Sequence, residues 1–172
     1  MTARVWVSSS GGPLLLLPVV HLGEWHGTED AGPPNFGADD GPSVDYERAC
    51  AVTDYTGVIP VGTGEGLVLG DDPNDTTWIP YPWGGILVRW VHARGAEEAE
   101  AVLASIPSGL KWKAAGVFRA SGSPLELFDS AEPGTSASIE RLRIDLGVGT
   151  YQISRADYKP DADTWFQLVR LG

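Results

Sequence analysis

Residues 57–70 read GVIPVGTGEGLVLG. Val58-Ile59 and Leu67-Val68-Leu69 stand on either side of Gly62, Gly64 and Gly66, which is the composition of two short strands joined by a glycine turn. Residues 76–93 carry Thr77-Trp78-Ile79, a break at Pro80 and Pro82, then Ile86–Val91. The second run is almost continuously apolar, as in a central strand covered on both faces. Toward the N-terminus, Val5-Trp6-Val7 is followed by a turn at Ser10-Gly11-Gly12-Pro13 and by Leu14–Leu17, a buried strand that ends at Pro18. Toward the C-terminus, Leu110–Ala120 and Leu125–Asp129 are strand candidates. Leu142, Ile144 and Leu146 alternate with Arg141, Arg143 and Asp145, the signature of a half-buried strand. Gly147-Val148-Gly149 turns the chain into Thr150–Ala156, and Lys159-Pro160-Asp161 turns it again into Thr164–Leu171. The last three strands are expected to form a meander.

One clear helix is predicted at about 95–106. Gly95 opens it, Pro107 closes it, and Ala99, Val102, Leu103 and Ile106 fall on one stripe. Glu97, Glu98 and Glu100 lie near its start, where the helix dipole favours acids. A short helix near 43–51 is expected, with Ser43 as its cap. Residues 27–43, rich in Gly, Pro and Asp, read as a long surface loop. The expected class is α+β, mostly antiparallel sheet, in a single domain over 1–172; a chain of this length fits one domain.

The charge is lopsided. The chain carries 23 acidic and 12 basic residues, a net charge of −11. Residues 1–86 hold 12 acids against only Arg4 and Arg48, so nearly all the excess lies in the first half. A protein that neutralises phosphates needs the opposite sign, which excludes a nonspecific nucleic-acid binder and argues against docking on an anionic membrane. The partner this charge fits is basic. No apolar run approaches the ~20 residues of a spanning helix, and no signal peptide is visible. The lone Cys50 cannot form an internal disulfide, and between Ala49 and Ala51 it reads as a small buried hydrophobe. A cytoplasmic protein is expected.

Several chemistries have partial signatures. Gly62-Thr63-Gly64-Glu65-Gly66 follows a strand as a phosphate loop would, but a strand follows it instead of a helix, and Glu65 would repel phosphate. Asp71, Asp72 and Asp75 surround Pro73-Asn74 without the glycine and closing glutamate of a calcium loop. His21, Glu24 and His26 have a spacing that places His26 off the face shared by the other two on a helix. A Ser–His–Asp triad is recognised by geometry and stays open, although Ser121-Gly122-Ser123 does not match a nucleophile elbow. No metal or cofactor is expected. Of the seven tryptophans, Trp90 reads as core. Trp78 and Trp83 flank a proline break beside the Asp71–Asp75 loop, an arrangement that suits an interface core with an acidic rim, though packing alone would also explain it.

The order Gly11-Gly12-Pro13-Leu14-Leu15-Leu16-Leu17-Pro18, Asp45-Tyr46-Glu47-Arg48-Ala49-Cys50, Ile59-Pro60-Val61-Gly62, Leu67-Val68-Leu69-Gly70-Asp71, Thr76-Thr77-Trp78 and Gly84-Gly85-Ile86-Leu87-Val88-Arg89-Trp90 resembles the Immunity protein 21 family of bacterial polymorphic toxin systems. The likeness runs from about residue 5 to residue 93. In the tail, Gly149-Thr150-Tyr151 and Thr164–Leu171 are similar to the closing strands of several immunity families. The resemblance implies a non-enzymatic antidote that binds the C-terminal toxic domain of a protein encoded nearby. The matched residues are turns and core, so they mark the fold and not the binding surface. From charge and aromatic placement, the partner-binding residues are expected at Asp39, Asp40, Asp71, Asp72, Asp75, Trp78 and Trp83. Two alternatives stay open: a small carboxylate- or metal-dependent hydrolase, and a non-catalytic assembly module.

Overall fold

The computed structural model describes residues 4–29, 44–70 and 73–172. It contains two antiparallel sheets of five strands and two short α-helices. The first sheet has the order β2-β3-β1-β7-β8, from Thr56–Val61 (β2), Gly64–Leu69 (β3), Leu14–Pro18 (β1), Leu125–Asp129 (β7) and Leu142–Ile144 (β8). The second has the order β4-β5-β10-β9-β6, from Thr76–Tyr81 (β4), Gly84–His92 (β5), Thr164–Leu171 (β10), Gly149–Asp161 (β9) and Lys113–Ala120 (β6).

The leucine run explains how the layers stack. Successive strand residues point to opposite faces. Leu14 and Leu16 enter the core between the sheets, with Leu67, Leu69, Leu125 and Leu127 from their own sheet and Leu87, Phe118, Ile153, Val169 and Leu171 from the other. Leu15 and Leu17 point the other way, into a second cluster with Trp25, Ala49, Val68 and Phe128. That cluster lies under a 3₁₀ helix at Val19–Glu24 and under Asp45–Cys50 (α1). The outer face of the second sheet is covered in the same way: Ile86, Val88, Phe166 and Leu168 pack against Ala99 and Leu103 of Ala96–Leu103 (α2). Burial on both faces is what an uninterrupted apolar run requires. No helix among the described residues is long and apolar enough to cross a membrane.

Several boundaries differ from expectation. Helix α2 ends at Leu103, three residues short of the predicted Ile106. Pro107 disfavours helical geometry at the residue before it, and the last turn opens. The residue capping α1 is Val44, in extended backbone and without a side-chain bond; Ser43 lies outside the described residues. The first hairpin turns on Gly62-Thr63 alone, while Gly64 and Gly66 belong to β3. Val5–Val7 supplies only a bridge from Val7 to Thr76, with Trp6 packed edge-on against Trp90 at 5.3 Å. The strand predicted from Leu110 starts at Lys113, because Leu110 and Trp112 pack onto the α2 cluster.

The predicted final meander does not form. β8 pairs with β7 in the first sheet, where Arg141 binds Glu126 at 2.7 Å, while β10 lies between β9 and β5 in the second. Nor does the chain turn at Lys159-Pro160-Asp161. β9 continues through them, and the register shift opposite Thr164/Phe166 takes up the residue that cannot donate a ladder hydrogen bond.

Candidate functional site

Asp39, Asp40, Asp71 and Asp72 lie outside the described residues, as does most of the expected 27–43 loop. Asp75 is exposed just before β4, and its carbonyl accepts the Trp90 amide at 2.8 Å. Trp83 occupies the turn between β4 and β5 at the other end of that strand. It is 46% exposed and stacks on Tyr81 at 4.8 Å with the rings 10° from parallel. Six strand residues at ~3.3 Å each separate Asp75 from this aromatic pair by about 20 Å. Trp78, between them, is opposite Leu87 and packs half-buried against the core between the sheets. Its ring fills the space beside Gly85 that a Cβ would need. β4 therefore turns one tryptophan inward and leaves the other on the surface.

Beside Trp83 is a cleft of about 340 Å³, lined by Trp83, Gln152, Ser154, Arg170 and Gly172. Arg170 lies half-buried on the outer face of the second sheet, between Ile86 and Ser154. It donates to Ser154 Oγ at 3.3 Å and its guanidinium lies over the Trp112 ring at 4.5 Å. Another cleft, of about 260 Å³, is walled by the acids Asp129, Glu132 and Glu140 with Ser8–Ser10. Here the carboxylates have backbone donors: Ser10 N–H reaches Asp129 at 2.8 Å, and Ser8 N–H reaches Glu140 at 3.4 Å.

The 3₁₀ helix puts His21 and Glu24 on the face that a helical spacing gives them, and the fold brings Ser121 to the same ring. In a 3₁₀ turn, side chains three apart eclipse, so Glu24 Oε2 meets His21 Nδ1 at 3.1 Å. The other ring nitrogen, Nε2, lies 2.8 Å from Ser121 Oγ at the end of β6. Glu24 favours the proton on Nδ1, and Nε2 then accepts from the serine hydroxyl. His21 is 7% exposed. The glycines of the hairpin make room for this chain of bonds. A Cβ on Gly64 would strike His21 Nε2, and one on Gly62, whose φ is +55°, would fall on the Glu24 carboxylate. The sequence offered the glycines and the histidine, but not that they were neighbours. His26 joins neither; its amide donates to Asp45 Oδ2 at 2.9 Å, in α1. Among the described residues, no three His, Cys, Asp or Glu side chains gather as metal ligands.

The electrostatics are mostly local. Asp54 is held below the ordinary carboxylate value of 3.8, first by the Tyr55 amide and then by Arg155 at 2.7 Å. Asp163 is lowered by Arg94, whose own value rises in return. The Tyr46 hydroxyl is raised by its hydrogen bond with Cys50 and by burial. Cys50 itself is exposed, contrary to expectation, because the inward position on α1 is taken by Ala49.

The sequence matches the Immunity protein 21 family over residues 5–164. The chain belongs to that family. The match extends well past residue 93 and takes in β6 to β9 as well as the N-terminal hairpins. No curated protein and no solved structure matches the chain. An Immunity protein 21 domain suggests a toxin-neutralising role through contact with a cognate toxin. Sequence reasoning missed two surface features of this domain: the Ser121–His21–Glu24 chain and Arg170. The second had a signal. Phe166 and Leu168 put apolar side chains on one face of β10, and an arginine stands at the next position of that face.

Proposed function

We propose that this protein is a non-catalytic, cytoplasmic antidote to a basic toxin domain, such as a nuclease, encoded beside it. The observation that carries the reading is charge: 12 acidic residues against two basic ones in residues 1–86. A negative surface steers a positive partner and raises the association rate toward ~10⁸–10⁹ M⁻¹s⁻¹ at low salt. An antidote made in the same cell as its toxin benefits most from fast capture. The acidic residues around Asp39-Asp40 and Asp71-Asp72-Asp75, with Trp83 at the far end of β4, are the surface assigned to this contact. Co-expression with the C-terminal domain of the neighbouring large protein, scored by growth and by co-purification, tests it. Rescue together with a stable complex is expected. Toxicity that persists while both proteins are folded and no complex forms would defeat the reading.

One observation favours a second reading. Ser121 Oγ, His21 Nε2, His21 Nδ1 and Glu24 stand in the order in which a hydrolase sets nucleophile, base and orienting acid. Covalent labelling of Ser121 by a fluorophosphonate, lost on His21→Asn, would support a hydrolase. An unlabelled Ser121 would leave the network as a clamp between the 3₁₀ helix, β3 and β6.

A further inference from the structure

The arginines of this acidic chain are almost all paired. Arg4, Arg48, Arg94, Arg119, Arg141, Arg143 and Arg155 each have a carboxylate within reach, at distances up to 3.4 Å. Arg170 pairs with no carboxylate among the described residues, although acids outnumber bases 23 to 12. Its place in the sheet makes this costly. A half-buried guanidinium loses water, and a leucine there would extend the apolar row of Phe166 and Leu168 without that loss. The side chain is also held in place. Trp112 supports its flat face and Ser154 takes one of its five N–H donors. Arg170 also lines the 340 Å³ cleft, beside the exposed Trp83 stacked on Tyr81. Tryptophan and arginine lining a pocket, with a tyrosine stacked on the tryptophan, are the residue types of an interface hot spot. A planar fork held ready in this way matches a carboxylate, which it binds through two parallel hydrogen bonds.

We propose that this cleft receives an aspartate or glutamate side chain of the toxin, with the carboxylate on Arg170 and the Trp83 ring excluding water. The inference rests on the antidote reading above and adds a contact of opposite sign to the acidic surface. The two act on different rates. Exposed acids steer the encounter and so govern association, whereas a desolvated charge pair governs dissociation.

The test is binding kinetics with the purified toxin domain at low and physiological salt. Arg170→Gln is expected to raise the dissociation rate on the order of 30-fold or more and leave association within about twofold. Arg170→Lys keeps the charge but loses the fork, and is expected to recover only part of the loss. Because Arg170 could also matter for folding, Trp83→Ala at the exposed turn is the second variant; about tenfold faster dissociation with an unchanged thermal melt is expected. A tight wild-type complex whose dissociation neither Arg170→Gln nor Trp83→Ala alters would overturn this inference and leave the antidote reading standing. A wild-type chain that forms no complex with the toxin overturns both.

Discussion

Gly64→Ala tests whether the glycines of the first hairpin are there for the histidine. Gly64 lies in β3 with no left-handed backbone requirement, so a strand alanine would ordinarily gain about 0.5–1 kcal/mol. Here the new methyl would land on His21 Nε2 and 2.8 Å from Ser121 Oγ. Ser121 is exposed and can turn away. The imidazole cannot easily retreat, since it is 7% exposed and Glu24 holds its other nitrogen at 3.1 Å. Forcing it aside costs about 1–3 kcal/mol of overpacking. Leaving a buried ring nitrogen without its serine costs about 1–3 kcal/mol more. The net loss is about 3 kcal/mol, or ~6–12 °C in Tm for a chain of this size. In a His21→Ala background the methyl meets only the Ser121 hydroxyl, which can turn away, and the same substitution is expected to cost under ~1 kcal/mol. The coupling of about 2 kcal/mol is read from a double-mutant cycle of urea denaturation curves and thermal melts. Equal costs in the two backgrounds, or a more stable Gly64→Ala protein, would refute the reasoning.

Reversing Asp71, Asp72 and Asp75 to lysine is expected to slow toxin association about tenfold or more at low salt and to flatten its salt dependence; unchanged kinetics would remove that loop from the contact. Asp54 titrates below its ordinary 3.8 in the folded chain, so its carboxylate adds stability above that pH and loses the contribution as pH falls through the lowered value. Denaturation midpoints of wild type and Asp54→Asn should therefore differ at pH 5–7, begin to draw together as the pH falls below 3.8 and meet only below the lowered value, with a smaller gap in high salt because the group is exposed.

The elements legible in the sequence are those whose burial is uniform along the strand. Leu14–Leu17 and Ile86–Val88 are covered on both faces, so their composition alone identifies them. Pairing partners were less legible, because an alternating segment such as Arg141–Leu146 states which side faces a core without stating which sheet provides it. Glu126, fifteen residues away, decides that for β8 through Arg141. Pro160 looked like a turn because a proline interrupts a regular ladder, and a bulge removes that objection. The surface features were legible in part. Charge counting gives the acidic excess of residues 1–86 without any coordinates. The opposite facing of Trp78 and Trp83 depends on the register of β4 against β5 and on where the turn falls, which spacing does not give. The His21 network joins segments 100 residues apart, beyond any local pattern.

Asp75 and the arginine cleft lie at opposite ends of β4, about 20 Å apart. An interface of standard size covers ~800 Å² on each partner, a patch roughly 30 Å across. One toxin can therefore span both ends, with Trp83 and Arg170 toward one side of the patch and Asp75 toward the other. That placement has a kinetic consequence. Sites separated by more than ~7–10 Å with no shared partner contribute additively. Joining the three aspartate reversals to Arg170→Gln should multiply the two effects: slower association from the first, faster dissociation from the second, each unchanged by the other. The affinity loss then equals the product of the separate losses, measured at one salt concentration. If the cleft and the loop served different partners, Arg170→Gln would leave this toxin's dissociation unaltered in either background. If they touched the same toxin group, the combined loss would fall well short of the product. Only a single wide interface, steered on one side and held on the other, gives the full product.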